Sequence, residues 1–326
     1  KSIKVSSKYI AICDYLNHKI KFYNKEFKFL FYFGGKGKNI NELDLPNDLD
    51  VYNNKFIISD SQNDRILSLS NKKNAQVLLK PKFIKNNLRR PVKILSTKNN
   101  LYVLDRDNSR IVNYDLNLNY KKSIKLKEYA NGKPNSFCFL NKKNEKIFFI
   151  LYRFSNLKNK IHIINFKKKS EKVISLNLKD AQDMDIMDNK IIISDTNNRR
   201  LISYDLGSKK INLLYLKSFT NNPRLLTKTI MIDKYKNIYT ADFDKCIILK
   251  FDINFNFIDS INLNHIRKDL KVIRGLYLKD NYLFILNRSK NPIIAYDTIK
   301  KKFLKLKNLK TIQSLHNPTS IVINRK

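Results

Sequence analysis

At 326 residues, 42% hydrophobic and 11% aromatic, the chain carries enough apolar surface for a large core, and closed all-β repeat architectures run this long as one domain. No apolar run reaches the length of a membrane-spanning helix, so the sequence reads as a soluble, folded chain. Its 65 Lys plus Arg against 28 Asp plus Glu leave a net charge of +37, which points to a polyanionic partner such as nucleic acid, acidic glycan or an anionic surface. Abundant Lys, Asn and Ile beside six Gly and no Trp is equally the residue usage of an AT-rich genome.

Seven apolar segments follow one another along the chain: IAICD ending at Asp14, FIISD at Asp60, LYVLD at Asp105, IFFIL at Leu151, IIISD at Asp195, IYTAD at Asp242 and LFILN at Asn287. Their spacings are 46, 45, 46, 44, 47 and 45 residues, room for four short strands with their turns and too little for an independent domain. In the second repeat, Leu49 to Val51 reads as strand a, Phe56 to Ser59 as strand b, Ile66 to Leu69 as strand c and Ala75 to Leu79 as strand d, with turns at Asn53-Asn54 and Lys72-Lys73. The expected fold is all-β: a seven-bladed β-propeller of four-stranded antiparallel blades, one domain over residues 1–326, its ring closed by a terminal strand. Both ends offer a strand a, Ile3 to Val5 and Ile321 to Ile323, and the second repeats the spacing of Pro46 through Pro318. The C-terminal strand is expected to close the ring and remove an exposed edge.

The junction between strands b and c reads Asp, two residues, Asn, one residue, a basic residue, then Ile or Leu. It occurs as Asp14, Asn17, Lys19, Ile20; as Asp60, Asn63, Arg65, Ile66; as Asp105, Asn108, Arg110, Ile111; and as Asp195, Asn198, Arg200, Leu201. In the fourth and seventh repeats Leu151 and Asn287 replace the Asp, and the sixth junction reads as shorter. An Asp there can accept bonds from turn amides and the Arg can bridge carbonyls or carboxylates, so the repeated Asp residues read as structural rather than as catalytic acids. This pattern resembles the NHL repeat, as does the linker Phe33-Gly34-Gly35-Lys36-Gly37 followed by Leu45-Pro46. The resemblance implies a propeller that serves as a platform for protein or RNA. Related propellers also include lactonases, amidating lyases and virginiamycin B lyases, which use a metal with His or Arg at the central opening.

An a, b, c, d order that alternates direction places the b–c and d–a connections at one end of every blade. Lys-rich turns, at Lys72-Lys73, Lys142-Lys143, Lys167 to Lys169, Lys209-Lys210 and Lys300 to Lys302, fall at the other end and read as solvated surface. Of 13 arginines, 12 lie at b–c or d–a connections or the strand ends beside them. The junction motif accounts for Arg65, Arg110 and Arg200. The remaining nine, Arg89, Arg90, Arg106, Arg153, Arg199, Arg224, Arg267, Arg274 and Arg288, are the candidate binding residues, because the planar guanidinium fork suits carboxylate and phosphate. The expected function is a non-catalytic scaffold that recognises an anionic partner, a protein surface or a polyanion, through this end of the blades. Tyr15, Phe154 and Phe243 at b–c connections would favour RNA if they stack bases.

His18, His265 and His316 fall at the same end and form the one constellation that speaks for a metal-dependent lyase or lactonase-like enzyme, since three imidazoles can ligate a divalent ion. Nothing in their spacing makes them converge, so neither a metal nor a cofactor is assigned. His162, inside strand c of the fourth repeat, reads as a core or edge residue. Cys13, Cys138 and Cys246 lie in strand-like apolar runs and read as small core residues. No GxGxxG, P-loop, GxSxG or CxxC motif is present. The chain opens on Lys1, consistent with removal of a leader and an exported or periplasmic location.

Overall fold

Strand b of each repeat is apolar at nearly every position because it is covered on both faces. In the second blade Phe56 and Ile58 pack with Ala11, Cys13, Ile20 and Phe22 of the first, while Ile57 between them packs with Ile94, Val103 and Val112 of the third. The computed structural model describes residues 3–304 outside segments 7–8, 25–27, 53–54, 72–78, 85–86, 116, 143–144, 166, 169, 220–225, 243–244, 265–271, 280 and 288–292.

The strands form seven four-stranded antiparallel sheets, the blades of a seven-bladed β-propeller. In order a to d, blade 1 comprises Ile3–Val5, Ile10–Asp14, Lys19–Tyr23 and Phe29–Gly34; blade 2, Pro46–Tyr52, Lys55–Asp60, Arg65–Asn71 and Leu79–Ile84; blade 3, Pro91–Ser96, Leu101–Asp105, Arg110–Tyr114 and Tyr120–Lys125. Blade 4 comprises Gly132–Lys142, Glu145–Phe154, Asn159–Asn165 and Ser170–Ile174; blade 5, Asp183–Met187, Lys190–Asp195, Arg200–Asp205 and Ile211–Tyr215. Blade 6 comprises Ile230–Ile232, Ile238–Asp242, Ile247–Phe251 and Phe257–Asn262; blade 7, Ile273–Lys279, Tyr282–Asn287, Ile293–Asp297 and Lys302–Phe303. Among the described residues the helical segments are 3-10 turns of three or four residues, and no helix is long and apolar enough to cross a membrane.

Two compact units divide the contacts, Lys1–Lys127 with Tyr277–Lys326, and Glu128–Leu276. In the first, the interfaces between blades 1, 2 and 3 hold the core just described. In the second, Phe149, Leu151 and Ile161 of blade 4 meet Met184, Ile191 and Ile193 of blade 5, and Ile192 and Leu201 of blade 5 meet Ile230, Ile238 and Phe251 of blade 6. Carboxylates on strand a tie one blade to the next: Asp48 and Asp50 accept from the amides of Ile94 and Ser96, and Asp183 accepts from Ile230. Asp48 and Asp50 are almost fully buried, so these bonds satisfy groups that could not reach water.

Four expectations change. The place beside strand b of blade 1 is taken by Ile3–Val5, which pairs in register with Ile10 to Ile12, so the terminal strand there is the N-terminal one. Residues 321–323, expected to fill it, lie outside the described residues. Strand d of blade 2 runs on to Ile84, as Leu79–Ile84 alongside Ile66 to Asn71; of the expected Ala75 to Leu79, residues 75–78 lie outside the described residues. The sixth junction is not shorter. Asp242 pairs with Ile247 as Asp60 pairs with Arg65, and Cys246, at φ 55°, takes the left-handed position held by Asp64 at φ 54°. Cys246 is therefore a turn residue rather than a strand residue. Cys13 is buried in the core as expected, Cys138 is partly buried, and all three are free thiols.

Candidate functional site

The junction motif builds the end of the blades where the candidate arginines lie. In blade 3 Asp105 accepts through Oδ2 from Asn108 Nδ2 at 2.8 Å and Arg110 Nε at 2.6 Å, and through Oδ1 from the backbone amide of Arg89 at 2.7 Å. Asn108 and Arg110 both also donate to the carbonyl of Asn87. Blade 2 repeats this with Asp60, Asn63 and Arg65 around the amide of Asp44, and blade 5 with Asp195, Asn198 and Arg200 around the amide of Lys179. The amide is thus not in the Asp's own turn. It belongs to the preceding d–a linker, so each motif pins the chain entering its blade. Burial pushes the Asp60 carboxyl up from the ordinary range, against its hydrogen-bond donors, which pull it down.

Blade 1 departs from the expected residues. Asp14 accepts from Asn17, but its cation is Lys21, at 2.8 Å and nearly buried, and not Lys19. The Lys19 ammonium instead sits 3.8 Å from the centre of the Tyr32 ring. Lys21 is two residues further along the strand and points to the same face as Lys19; it is the one that reaches back to the carboxylate.

In the first unit these bonds bring three candidate arginines together. Arg89 and Arg90 occupy the linker into blade 3, and Arg106 the b–c turn of that blade. The Arg89 carbonyl accepts from the Asp107 amide, and the Arg90 amide donates to Asp64 at 2.7 Å. Arg90 is held at φ 50°, the left-handed position that Leu45 and Asp180 occupy in their linkers at φ 46° and 52°. Arg89 is exposed and Arg90 and Arg106 are half-buried. Neither guanidinium of Arg89 and Arg90 makes a bond or ion pair among the described residues, in contrast to the three motif arginines.

In the second unit Arg153 lies at the tip of the long b–c hairpin of blade 4, paired with Asp180 at 2.8 Å, while Arg199 is exposed in the b–c turn of blade 5. Blade 4 lacks the motif, and its strands b and c run two rungs past Leu151–Ile161, to Arg153–Asn159. Arg274 is half-buried on strand a of blade 7. Arg224, Arg267, Arg288, His265, His316 and Phe243 lie outside the described residues.

His18 serves the linker. The Leu45 amide donates to its Nδ1 at 3.1 Å, and an Asp44 carboxylate oxygen stands at the same distance from that nitrogen. Among the described residues no group of three or more His, Cys, Asp or Glu is placed to hold a metal ion. His162 is fully buried, as expected of a core position, but both ring nitrogens are engaged: Nδ1 lies 2.5 Å from Glu171 and Nε2 2.9 Å from the Tyr129 hydroxyl. Burial pushes the phenols of Tyr129 and Tyr152 beside it above their ordinary range. Phe154 packs edge-on against Tyr129 and covers Gly132, where a Cβ would come within 2.5 Å of its ring. A cavity of about 260 Å³ between blades 4 and 5 opens at the opposite end, that of the a–b and c–d turns, and its lining is mainly apolar: Leu140, Ile147, Phe149, Ile163 and Leu206 with Tyr204.

No protein-family model matches the sequence, and no curated protein aligns with it significantly. Solved structures do share its fold. A catalytically inactive virginiamycin B lyase from Staphylococcus aureus, with quinupristin, superposes with a TM-score of 0.66 at 13% identity, over 90% of this chain and 92% of that one. A functionally unknown protein from Desulfotomaculum acetoxidans gives 0.64 at 11% identity, over 96% and 98% of the two chains. Saccharomyces cerevisiae Sqt1 gives 0.63 at 11% identity, over 98% and 86%. Identities this low establish the propeller fold alone, since one fold hosts many functions.

Proposed function

We propose that the chain is a non-catalytic recognition module whose arginine-bearing blade ends bind an anionic partner, a protein surface or a polyanion such as acidic glycan or nucleic acid. One contrast carries this reading. Arg65, Arg110 and Arg200 spend their guanidinium groups on buried carboxylates and linker carbonyls. Arg89 and Arg90 are held through their backbone amides, which leaves two adjacent guanidinium forks on a pinned linker for a ligand carboxylate or phosphate. Arg106, Arg153, Arg199, Arg224, Arg267, Arg274 and Arg288 extend the proposed surface. The Asp-Asn-Arg staples support reading the repeats as NHL-like, and the engagement of His18 by the linker favours a binder over a metal-dependent lyase or lactonase.

The test uses three labelled probes: a glutamate-rich peptide, a heparin-derived oligosaccharide and a single-stranded oligouridylate. Arg89→Ala with Arg90→Ala is compared with Lys121→Ala with Lys122→Ala, which removes the same charge near the c–d end of blade 3. Each charged hydrogen bond is worth about 1.5–3 kcal/mol, so the arginine pair should weaken at least one probe tenfold or more while the lysine pair does not. Equal losses from both pairs that vanish together as salt is raised would mean that +37 acts only as a diffuse field.

A further inference from the structure

Every propeller blade leaves its strand d unpaired on one side, and such edges are normally guarded against strand addition by charge, proline, bulges or brevity. Six blades here follow that rule. The c–d pairing is broken by a register shift in blades 1, 3 and 6. Strand d of blade 2 contains Pro81, that of blade 4 carries Glu171 and Lys172, and that of blade 7 is two residues long. Strand d of blade 5, Ile211–Tyr215, has none of these: its sequence is INLLY and its pairing with strand c is regular.

The strand presents a continuous docking edge. Ile211, Leu213 and Tyr215 alternate along it and are 47%, 45% and 50% exposed, while Leu214 packs toward blade 6. Its hydrogen-bond phase follows from its ends. The Lys210 carbonyl accepts from Asp205, and the Leu216 amide donates to Arg199, so even-numbered residues bond inward to strand c. The amides and carbonyls of Ile211, Leu213 and Tyr215 therefore point away from it. Exposed lysines flank the strand, Lys209 and Lys210 before it and Lys217 after it.

We infer that Ile211–Tyr215 is a strand-addition site for an extended segment of a partner protein, with alternating apolar residues and acidic flanks. Backbone bonds to the amides of Ile211, Leu213 and Tyr215 and to the carbonyls of Ile211 and Leu213 would hold the segment, the Tyr215 carbonyl already accepting from the Ser218 hydroxyl at 3.2 Å. The apolar row would take its alternate side chains, and the flanking lysines would select its charge. Charge also argues against a second copy of this chain. Antiparallel self-pairing centred on Leu213 would set Lys209 of each copy opposite Lys217 of the other, between two molecules of charge +37. No residue of this strand is among the nine arginines proposed above, so either proposal can fail without the other.

The probe is a fluorescein-labelled synthetic peptide, Glu-Glu-Val-Thr-Val-Thr-Val-Glu-Glu, with a lysine-flanked version and a version with proline at the central valine as controls. The acidic peptide should bind, the lysine-flanked one at least tenfold more weakly and the proline version not detectably. Leu213→Pro removes an outward amide without touching an inward bond, so it should keep the melting temperature near wild type and reduce binding at least tenfold. Should that variant misfold, hydrogen exchange on the wild type supplies the second reading: the peptide should slow exchange at Ile211, Leu213 and Tyr215. Arg89→Ala with Arg90→Ala should leave this binding unchanged. Peptide binding with no protection at these amides, or no binding at all, overturns the proposal. Concentration-dependent dimers that protect the same amides without peptide overturn it in favour of a second copy.

Discussion

Asp105→Ala is the sharpest test of how the linkers are held. The carboxylate is wholly buried and accepts from the Arg89 amide at 2.7 Å, Asn108 at 2.8 Å and Arg110 at 2.6 Å. Removing it leaves a guanidinium that is only 24% exposed without its carboxylate, and an amide without its acceptor. Breaking one side of a buried pair costs about 3–5 kcal/mol, and an exposed pair about 0–1 kcal/mol. Arg110 keeps its bond to the Asn87 carbonyl and some water, which places the expected loss near the lower end, at about 3 kcal/mol. Urea denaturation followed by tyrosine fluorescence reads it as a fall in midpoint at unchanged slope. Arg110→Ala should then cost less than about 1 kcal/mol in the Asp105→Ala background, although it costs several alone. A loss below about 1 kcal/mol for Asp105→Ala, with additive behaviour in the cycle, would refute the staple as a buried unit.

Two further outcomes follow from the same geometry. Lys21→Met should destabilise by about 3 kcal/mol in urea, because the buried Asp14 loses the ammonium that faces it at 2.8 Å, whereas Lys19→Met should cost less than about 1 kcal/mol; the reverse order would restore the expected motif residue. The Asp115 carboxyl is held below its ordinary range by the backbone of Asn119 and further bonds in the c–d turn, so its folded pKa lies under the unfolded one. That stabilisation is present above the unfolded pKa of 3.8 and is lost as pH falls through the folded value. The melting temperature of Asp115→Asn should therefore lie below wild type at neutral pH and converge with it below that pKa; a difference that persists in acid would assign the effect to packing.

The period and the strand b segments were legible because covering a strand on both faces forces an uninterrupted apolar run, which no surface requirement overrides. The structural role of Asp60, Asp105 and Asp195 was legible for a similar reason, since a fixed spacing to Asn and Arg has one geometric solution at a turn. The target of the carboxylate was not, because the amide it accepts lies 16 residues upstream and local spacing says nothing of it. Lys21 was missed because Lys19 fills the motif position, and only the strand's pleat shows that both side chains leave on one face. Equivalence of the sixth junction was hidden by composition: Cys246 and Ile247 replace the polar residues, while backbone length and the left-handed turn are kept. Of the candidate arginines, sequence located the loops of Arg89 and Arg90 but not the contrast with Arg153, whose partner Asp180 lies on the next linker.

The staple also imposes an order on synthesis. In blades 2, 3 and 5 the amide of the entering linker leaves the ribosome 16 residues before the carboxylate that receives it. At ordinary rates of elongation that interval is roughly one to three seconds, far longer than a hairpin needs to form. Each linker must therefore wait, solvated, behind a blade already able to fold, and docks only when the following strand b brings its aspartate. A nascent chain halted just short of Asp60, Asp105 or Asp195 would carry a finished sheet with a loose trailing end, and the next few residues would convert that end from a tether into a wall of the following blade.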